Sequence, residues 1–150
     1  MNTDIREIES RLKDVVEKNE DSVKGFEKAA DHAKELGTKN YFENKAEERK
    51  RFIKQLRNAT PALEIGNTKI EGSAKGAVHR SWMDVKALFS SDNDESMLEE
   101  AVRGDKAAIQ EYNEVMTHKM VPHRLKEILK EQKKEIQNDL ETSKILENFR

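Results

Sequence analysis

The sequence predicts an all-α protein that folds as one domain, residues 1–150. Apolar residues recur at alternating steps of three and four along most of the chain, which is the spacing of one helix face. Pro61 and Pro122 fall between these periodic segments. Charged residues make up 39% of the chain and hydrophobic residues 35%, a composition that suits either charged helices or disorder. The periodicity favours charged helices over disorder.

The first predicted helix covers about residues 4–36. Thr3 or Asp4 can cap its start, and Gly37 is suited to the left-handed conformation that ends a helix. A second apolar row beside the first makes the buried face broad, as in a globular bundle. The main row contains Ile5, Ile8, Leu12, Val15, Phe26, Ala29, Ala33 and Leu36.

A second helix is predicted after Thr38, ending near Asn58 because Pro61 disfavours helical geometry at the residue before it. The link between the two helices is so short that they should form an antiparallel hairpin. Residues 59–72 combine proline and glycine turn signals with a few apolar residues, and they predict a crossover loop.

Helical spacing resumes over residues 74–89. A short helix should follow, opened by a capping box of Asp92 and Glu95 and ended by Gly104. Asp105 would then cap the next helix.

The last two predicted helices begin at Asp105 and Pro122 and carry inward apolar residues as far as Met116 and Leu146. Pro122 is well suited to the first turn of the longer one. The expected fold is therefore an all-α, single-domain helical bundle.

Composition excludes several function classes. The chain has 28 Lys and Arg against 30 Asp and Glu, and a net charge of −2 argues against coating nucleic acid or an acidic membrane. The absence of cysteine excludes disulfides, thiol catalysis and iron–sulfur clusters. No apolar stretch is long enough to span a bilayer, and the first residues lack the apolar core of a signal peptide, so a cytoplasmic location is expected.

Carboxylates beside the apolar rows could form a metal site inside the bundle, because bundles build such sites from inward-pointing side chains. The candidates are Glu27, Glu48, Glu111 and Glu135, one on each bundle helix. The alternative is that each carboxylate flanks the core and reaches solvent or a neighbouring Lys or Arg. Because 39% of the residues are charged, chance alone places a glutamate beside every apolar row.

The histidines do not complete a di-iron site, which needs Glu-x-x-His on two helices. None of the four histidines has a glutamate three residues before it; they are His32, His79, His118 and His123. Any site would be rich in oxygen ligands and would suit a hard divalent cation better than tightly held iron.

Six basic residues lie within residues 45–57. They could form a patch for nucleic acid, but Glu47 and Glu48 lie among them, and a phosphate-binding face usually excludes carboxylates. The interpretation favoured here is a solvated helix face with pairs spaced four residues apart.

A polar cluster around the single tryptophan is the most distinctive local feature. Trp82 follows Val78 by one helical turn and should be buried, with His79 and Arg80 beside it. A buried histidine bonded to a carboxylate or carbonyl is favoured over a catalytic one, because no paired nucleophile is visible nearby. Arg51 and Gln132 are the other polar residues expected near the core.

The segment Gly-Ser-Ala-Lys-Gly-Ala-Val-His-Arg-Ser-Trp, residues 72–82, resembles the central signature of a bacterial family of uncharacterised ferritin-like four-helix-bundle proteins, distantly related to rubrerythrins. Residues 25–30 and 99–112 extend the resemblance, which covers about residues 4–148. It implies a ferritin-like up-down four-helix bundle, in which two helical hairpins are joined by a long crossover containing extra helices. Residues 73–103 would be the helical inserts in that crossover, and residues 105–118 and 122–148 would form the second hairpin.

The resemblance also implies where a metal site would lie: at Glu27, Glu48, Glu111 and the stretch from Gln132 to Glu135. Both histidine ligand positions differ from the superfamily pattern. Arg51 stands three residues after Glu48, and Glu135 stands three after Gln132. The resemblance implies no established activity.

Two functions remain from the sequence. The first is a non-enzymatic bundle protein that acts by association, in a bacterial stress response. The second is a protein that binds iron or another divalent cation at the four glutamates for redox or metal handling. The first is preferred, because Glu-x-x-His is missing twice. A homo-oligomer, with a dimer favoured, is expected because Leu, Ile, Val and Phe make up only 32 of the 150 residues.

Overall fold

The computed structural model describes residues 2–60 and 94–148, with side chains described for residues 6–60 and 94–146. All regular structure in these residues is α-helical, and no strand occurs among them, which confirms the predicted all-α class. We number the four helices of the described residues α1 (Asn2–His32), α2 (Leu36–Ala59), α3 (Asp94–Met116) and α4 (His123–Asn148). Within this part of the chain, no helix has both the length and the apolar character needed to cross a membrane.

The four helices form a ring in which α1 contacts α2 and α3, and α4 contacts α2 and α3. Salt bridges show that the neighbouring helices run antiparallel. They join α1 to α2 through Glu27–Lys50 and Glu20–Arg57, and α1 to α3 through Arg11–Glu114 and Lys18–Glu111. The bridges from α2 to α4, Lys45–Asp139 and Arg51–Glu135, show the same order, and the short link between α3 and α4 makes these two helices antiparallel as well. The helices therefore run up, down, down and up in chain order, and α2 ends at the opposite end of the bundle from the start of α3.

The link between α1 and α2 differs from the prediction. Gly37 was expected to end the first helix, but α1 ends at His32 and Gly37 lies in the first turn of α2. The reason is a partner distant in sequence. Asp94, at the start of α3, accepts hydrogen bonds from the backbone N–H groups of Lys34 and Glu35, at 2.9 Å each. This carboxylate satisfies N–H groups at the start of α2 and fixes where the helix begins.

The predicted break at Gly104 was wrong, because α3 continues through it from Asp94 to Met116. Asp105 is not an N-cap but a buried residue inside this helix. A glycine in a helix costs only about 1 kcal/mol relative to alanine. The buried ion pairs that Asp105 forms with Lys45 and Arg49 outweigh that cost.

The fourth helix and the end of α2 agree more closely with the sequence. The Pro122 carbonyl accepts the first hydrogen bond of α4, from Lys126 N–H at 3.0 Å, so the proline opens the helix as predicted. The predicted crossover, the helix over residues 74–89 and the Asp92 cap lie outside the described residues.

Two apolar clusters fill the described part of the bundle, and both are built mainly from the predicted rows. They are separated along the bundle axis by buried polar side chains. The larger cluster includes Ile8, Leu12, Val15, Phe52, Leu56, Val115, Leu125, Leu129 and Ile136. The smaller one includes Phe26, Ala29, Tyr41, Phe42, Met97, Leu98 and Ala101. Leu36, the last residue of the main row predicted for the first helix, is instead 73% exposed.

Candidate functional site

Ionisable side chains from three helices meet inside the bundle, between the two apolar clusters. We call this group the ionic layer, and it consists of Lys45, Glu48 and Arg49 on α2, Asp105 on α3 and Asp139 on α4. The side chains of Lys45, Arg49 and Asp105 are each only 1% exposed to solvent. Charges so deeply buried are rarely found unless they are paired.

Asp105 is the centre of the ionic layer, because each of its carboxylate oxygens binds a different cation. Lys45 Nζ lies 2.5 Å from Asp105 Oδ2, and Arg49 Nη2 lies 2.6 Å from Asp105 Oδ1. Lys45 Nζ also lies 3.1 Å from Asp139 Oδ2, which ties α4 to the same group. Such charge-assisted hydrogen bonds hold α2, α3 and α4 together at this level.

Aromatic rings surround the two cations and link the ionic layer to both apolar clusters. Lys45 Nζ lies 4.7 Å from the centre of the Phe26 ring. The Arg49 guanidinium carbon lies 5.4 Å from the centre of the Phe26 ring and 5.9 Å from that of Phe52. The rings replace part of the hydration that the cations lose on burial.

Glu48 is the member of the ionic layer with the most perturbed ionisation. Burial raises its pKa to about 8, and a hydrogen bond to Asp139 together with the negative charge of that carboxylate adds to the effect. The raised pKa favours the protonated form of Glu48 near neutral pH, and this form can share its proton with Asp139. The layer then contains two cations, Lys45 and Arg49, and two carboxylates, Asp105 and Asp139, so that its net charge is zero.

A second buried polar group lies further along the bundle, and we call it the amide–tyrosine chain. Asn19 Nδ2 donates to Tyr112 Oη at 3.0 Å, and Tyr112 Oη donates to Gln132 Oε1 at 2.7 Å. Gln132 Nε2 then donates to Gln55 Oε1 at 2.9 Å and to the Phe52 carbonyl at 3.3 Å. The amide–tyrosine chain links all four helices. Burial raises the pKa of Tyr112 to about 12, so the tyrosine hydroxyl stays neutral.

The four glutamates proposed as metal ligands have separate partners. Glu27 is half exposed and pairs with Lys50 at 3.1 Å, and Glu111 pairs with Lys18 at 3.5 Å. Glu135 binds Arg51, and Glu48 belongs to the ionic layer. Among the described residues, no three His, Asp or Glu side chains form a group that could hold a metal ion.

Arg51 and Glu135 stand at the two sequence positions where the resemblance implies histidine ligands, and they form a salt bridge with each other. This bridge is bidentate, with Nη2 to Oε1 at 2.7 Å and Nη1 to Oε2 at 3.0 Å. Arg51 does not lie in the core as expected, because its side chain is 48% exposed. Gln132 is fully buried in the amide–tyrosine chain. The other members of the predicted polar cluster, His79, Arg80 and Trp82, lie outside the described residues.

The structure corrects the interpretation of residues 45–57 as a solvated helix face, because Lys45 and Arg49 are buried. Their position could have been found from spacing. The steps of three and four on α2 pass through Thr38, Phe42, Lys45, Arg49, Phe52 and Leu56. Asp105 occupies the same kind of position between Ala101 and Ala108, but the predicted break at Gly104 hid it.

The sequence matches the protein family described as "Domain of unknown function (DUF2383)" over residues 7–118, about three quarters of the chain. No curated protein gives a significant match, and neither does any solved structure.

Proposed function

Because the chain belongs to the DUF2383 family, whose function is unknown, we propose a function from its own geometry. It is a non-enzymatic, ferritin-like bundle protein that acts by association, in the first place with a second copy of itself. The observation that carries this proposal is the bidentate Arg51–Glu135 salt bridge at 2.7 and 3.0 Å, beside the buried Gln132. Arg51 and Glu135 stand at the two sequence positions where a ferritin-like pattern would have histidine ligands, and they bind each other at the surface of the bundle, with side chains 48% and 34% exposed.

Electrostatics also argue against a metal ion bound at Glu135 or Glu48. Arg51 places a permanent positive charge beside Glu135, and this charge opposes the binding of a cation there. Glu48 is mainly protonated near neutral pH, because burial raises its pKa to about 8, and a protonated carboxyl is a poor metal ligand. The interior therefore uses its carboxylates to bind the chain's own cations.

The order of the helices supports the ferritin-like part of the proposal. The described helices run up, down, down and up, so the connection from α2 to α3 must join opposite ends of the bundle. A long crossover between two antiparallel hairpins is a feature of ferritin-like bundles. Residues 61–93 provide 33 residues for this connection.

Anaerobic titration with Fe(II) and with Mn(II), followed by elemental analysis, tests the absence of a resident metal site. We expect no stoichiometric binding of either ion, because the candidate carboxylates are occupied by Lys or Arg or carry a proton. Tight binding that is lost in Glu48→Ala and Glu135→Ala would overturn the proposal in favour of a metal-handling function. Glu47→Ala is the matched control, because the Glu47 side chain is 74% exposed.

Sedimentation equilibrium tests the association. We expect a concentration-dependent mass that reaches two chains of 17.3 kDa, since a chain with few large apolar residues gains additional burial by pairing. A mass of one chain at every accessible concentration would contradict the self-association.

A further inference from the structure

We propose that the second copy binds in the outer groove between α3 and α4, groove against groove, about a two-fold axis that runs across the helices. This inference rests on the proposed self-association and specifies its surface and register. The groove has a volume of about 640 Å³. Val102 and Leu140, both partly exposed, contribute its apolar surface.

The charges that line the groove are balanced, which favours a second copy over a strongly acidic or basic partner. Glu99 and Lys106 lie on α3, and Glu141 and Lys144 lie on α4, so each helix contributes one acid and one base. A surface of this kind can be complementary to itself, as an isologous dimer requires.

The spacing on α3 fixes the register. Glu99 and Lys106 are seven residues apart, two turns on the same helix face, and Val102 lies between them. Two copies of α3 that cross antiparallel at Val102 therefore bring Glu99 of each copy opposite Lys106 of the other. The two-fold axis makes this contact twice.

Both charges are available for such a contact. Glu99 and Lys106 are exposed. The salt bridges found within residues 6–60 and 94–146 use neither of them; on α4, Lys144 pairs with Glu141 of its own helix at 3.6 Å. A contact with the second copy would give the two α3 charges partners next to the apolar surface of Val102.

A charge-swap cycle tests this register by sedimentation velocity. We expect Glu99→Lys and Lys106→Glu each to raise the dimer dissociation constant about tenfold or more, because each creates two like-charge contacts across the axis. The double variant, Glu99→Lys with Lys106→Glu, restores opposite charges and should return the dissociation constant close to that of the unchanged protein. Circular dichroism of each variant confirms that the helices are intact.

Matched controls on α2 separate this surface from general effects of charge. Glu43→Lys and Lys54→Glu make the same changes at exposed positions outside the groove and should leave the dissociation constant unchanged. If a dimer forms but the groove swaps do not weaken it, the groove is not the interface, although association itself stands. If the single swaps weaken the dimer and the double swap does not restore it, the register is wrong. A protein that is monomeric at every concentration would instead overturn the proposed association.

Discussion

Asp105→Ala is expected to lower the free energy of unfolding by about 3–5 kcal/mol, the usual cost of breaking a buried ion pair by removing one partner. The Asp105 carboxylate is 1% exposed and binds Lys45 with one oxygen and Arg49 with the other. Its removal leaves two cations in the core, with Asp139 at 3.1 Å from Lys45 and Glu48 at 3.5 Å from Arg49 as their remaining acidic neighbours. Urea unfolding followed by circular dichroism at pH 7 measures the change.

Glu135→Ala provides the comparison for this result. It also removes a carboxylate that binds an arginine bidentately, but the Arg51 side chain is 48% exposed and that of Glu135 is 34% exposed. We expect a loss of at most about 1 kcal/mol, because water replaces the lost partner of an exposed ion. Equal losses in the two variants would show that the ionic layer has no special role in stability.

A triple replacement distinguishes pairing from packing. Lys45→Met, Arg49→Met and Asp105→Leu together remove the three charges that are only 1% exposed and keep approximately the same volume, while Asp139, which is 17% exposed, keeps its charge. Buried ion pairs replaced in this way often give proteins of equal or greater stability. We therefore expect the triple variant to be more stable than Asp105→Ala alone.

The parts of the fold that depend on local periodicity were predictable from the sequence. The buried rows on α1 and α4 and the proline that opens α4 follow from spacing and turn chemistry. The parts that depend on contacts distant in sequence were not predictable. Asp94 binds the N–H groups of Lys34 and Glu35 and so shifts the start of α2.

The candidate site likewise contains residues that local spacing predicts and residues that depend on contacts distant in sequence. Gln132 was identified because it interrupts an apolar row, and it is fully buried. Lys45 and Arg49 interrupt such a row equally, but lysine and arginine are almost never fully buried unless paired, and their partner Asp105 lies 56 or more residues away. Helical spacing could have indicated their burial, but charge type favours the surface, and the partner that makes burial stable becomes apparent only once α3 is known to continue through Gly104.

Glu48→Gln is expected to change how stability depends on pH. In the folded protein, burial first and Asp139 second raise the Glu48 pKa from 4.5 to about 8, whereas in the unfolded chain the pKa returns towards its ordinary value. The folded state thus holds this proton more tightly, so its contribution to stability is complete below about pH 4.5. It is lost as pH rises through about 8.

This loss has a physical cause in the groups that face Glu48. Asp139 on α4 is its negatively charged neighbour, while Lys45 and Arg49 on its own helix oppose the shift without cancelling it. Ionisation of Glu48 places a third negative charge beside two cations and pushes α2 and α4 apart at this level. For one group, the free energy of unfolding can fall by at most about 1.4 kcal/mol per pH unit.

Glutamine resembles the protonated carboxyl in shape and can still donate to Asp139, but it does not ionise. We therefore expect Glu48→Gln and the unchanged protein to have similar stability near pH 5, and the variant to be more stable at pH 9. Urea unfolding at intervals from pH 5 to 9 measures the difference. Glu47→Gln alters the neighbouring, 74% exposed side chain and should follow the unchanged protein throughout. A constant difference between Glu48→Gln and the unchanged protein would mean that Glu48 is ionised in the folded state, and that the ionic layer carries a net negative charge.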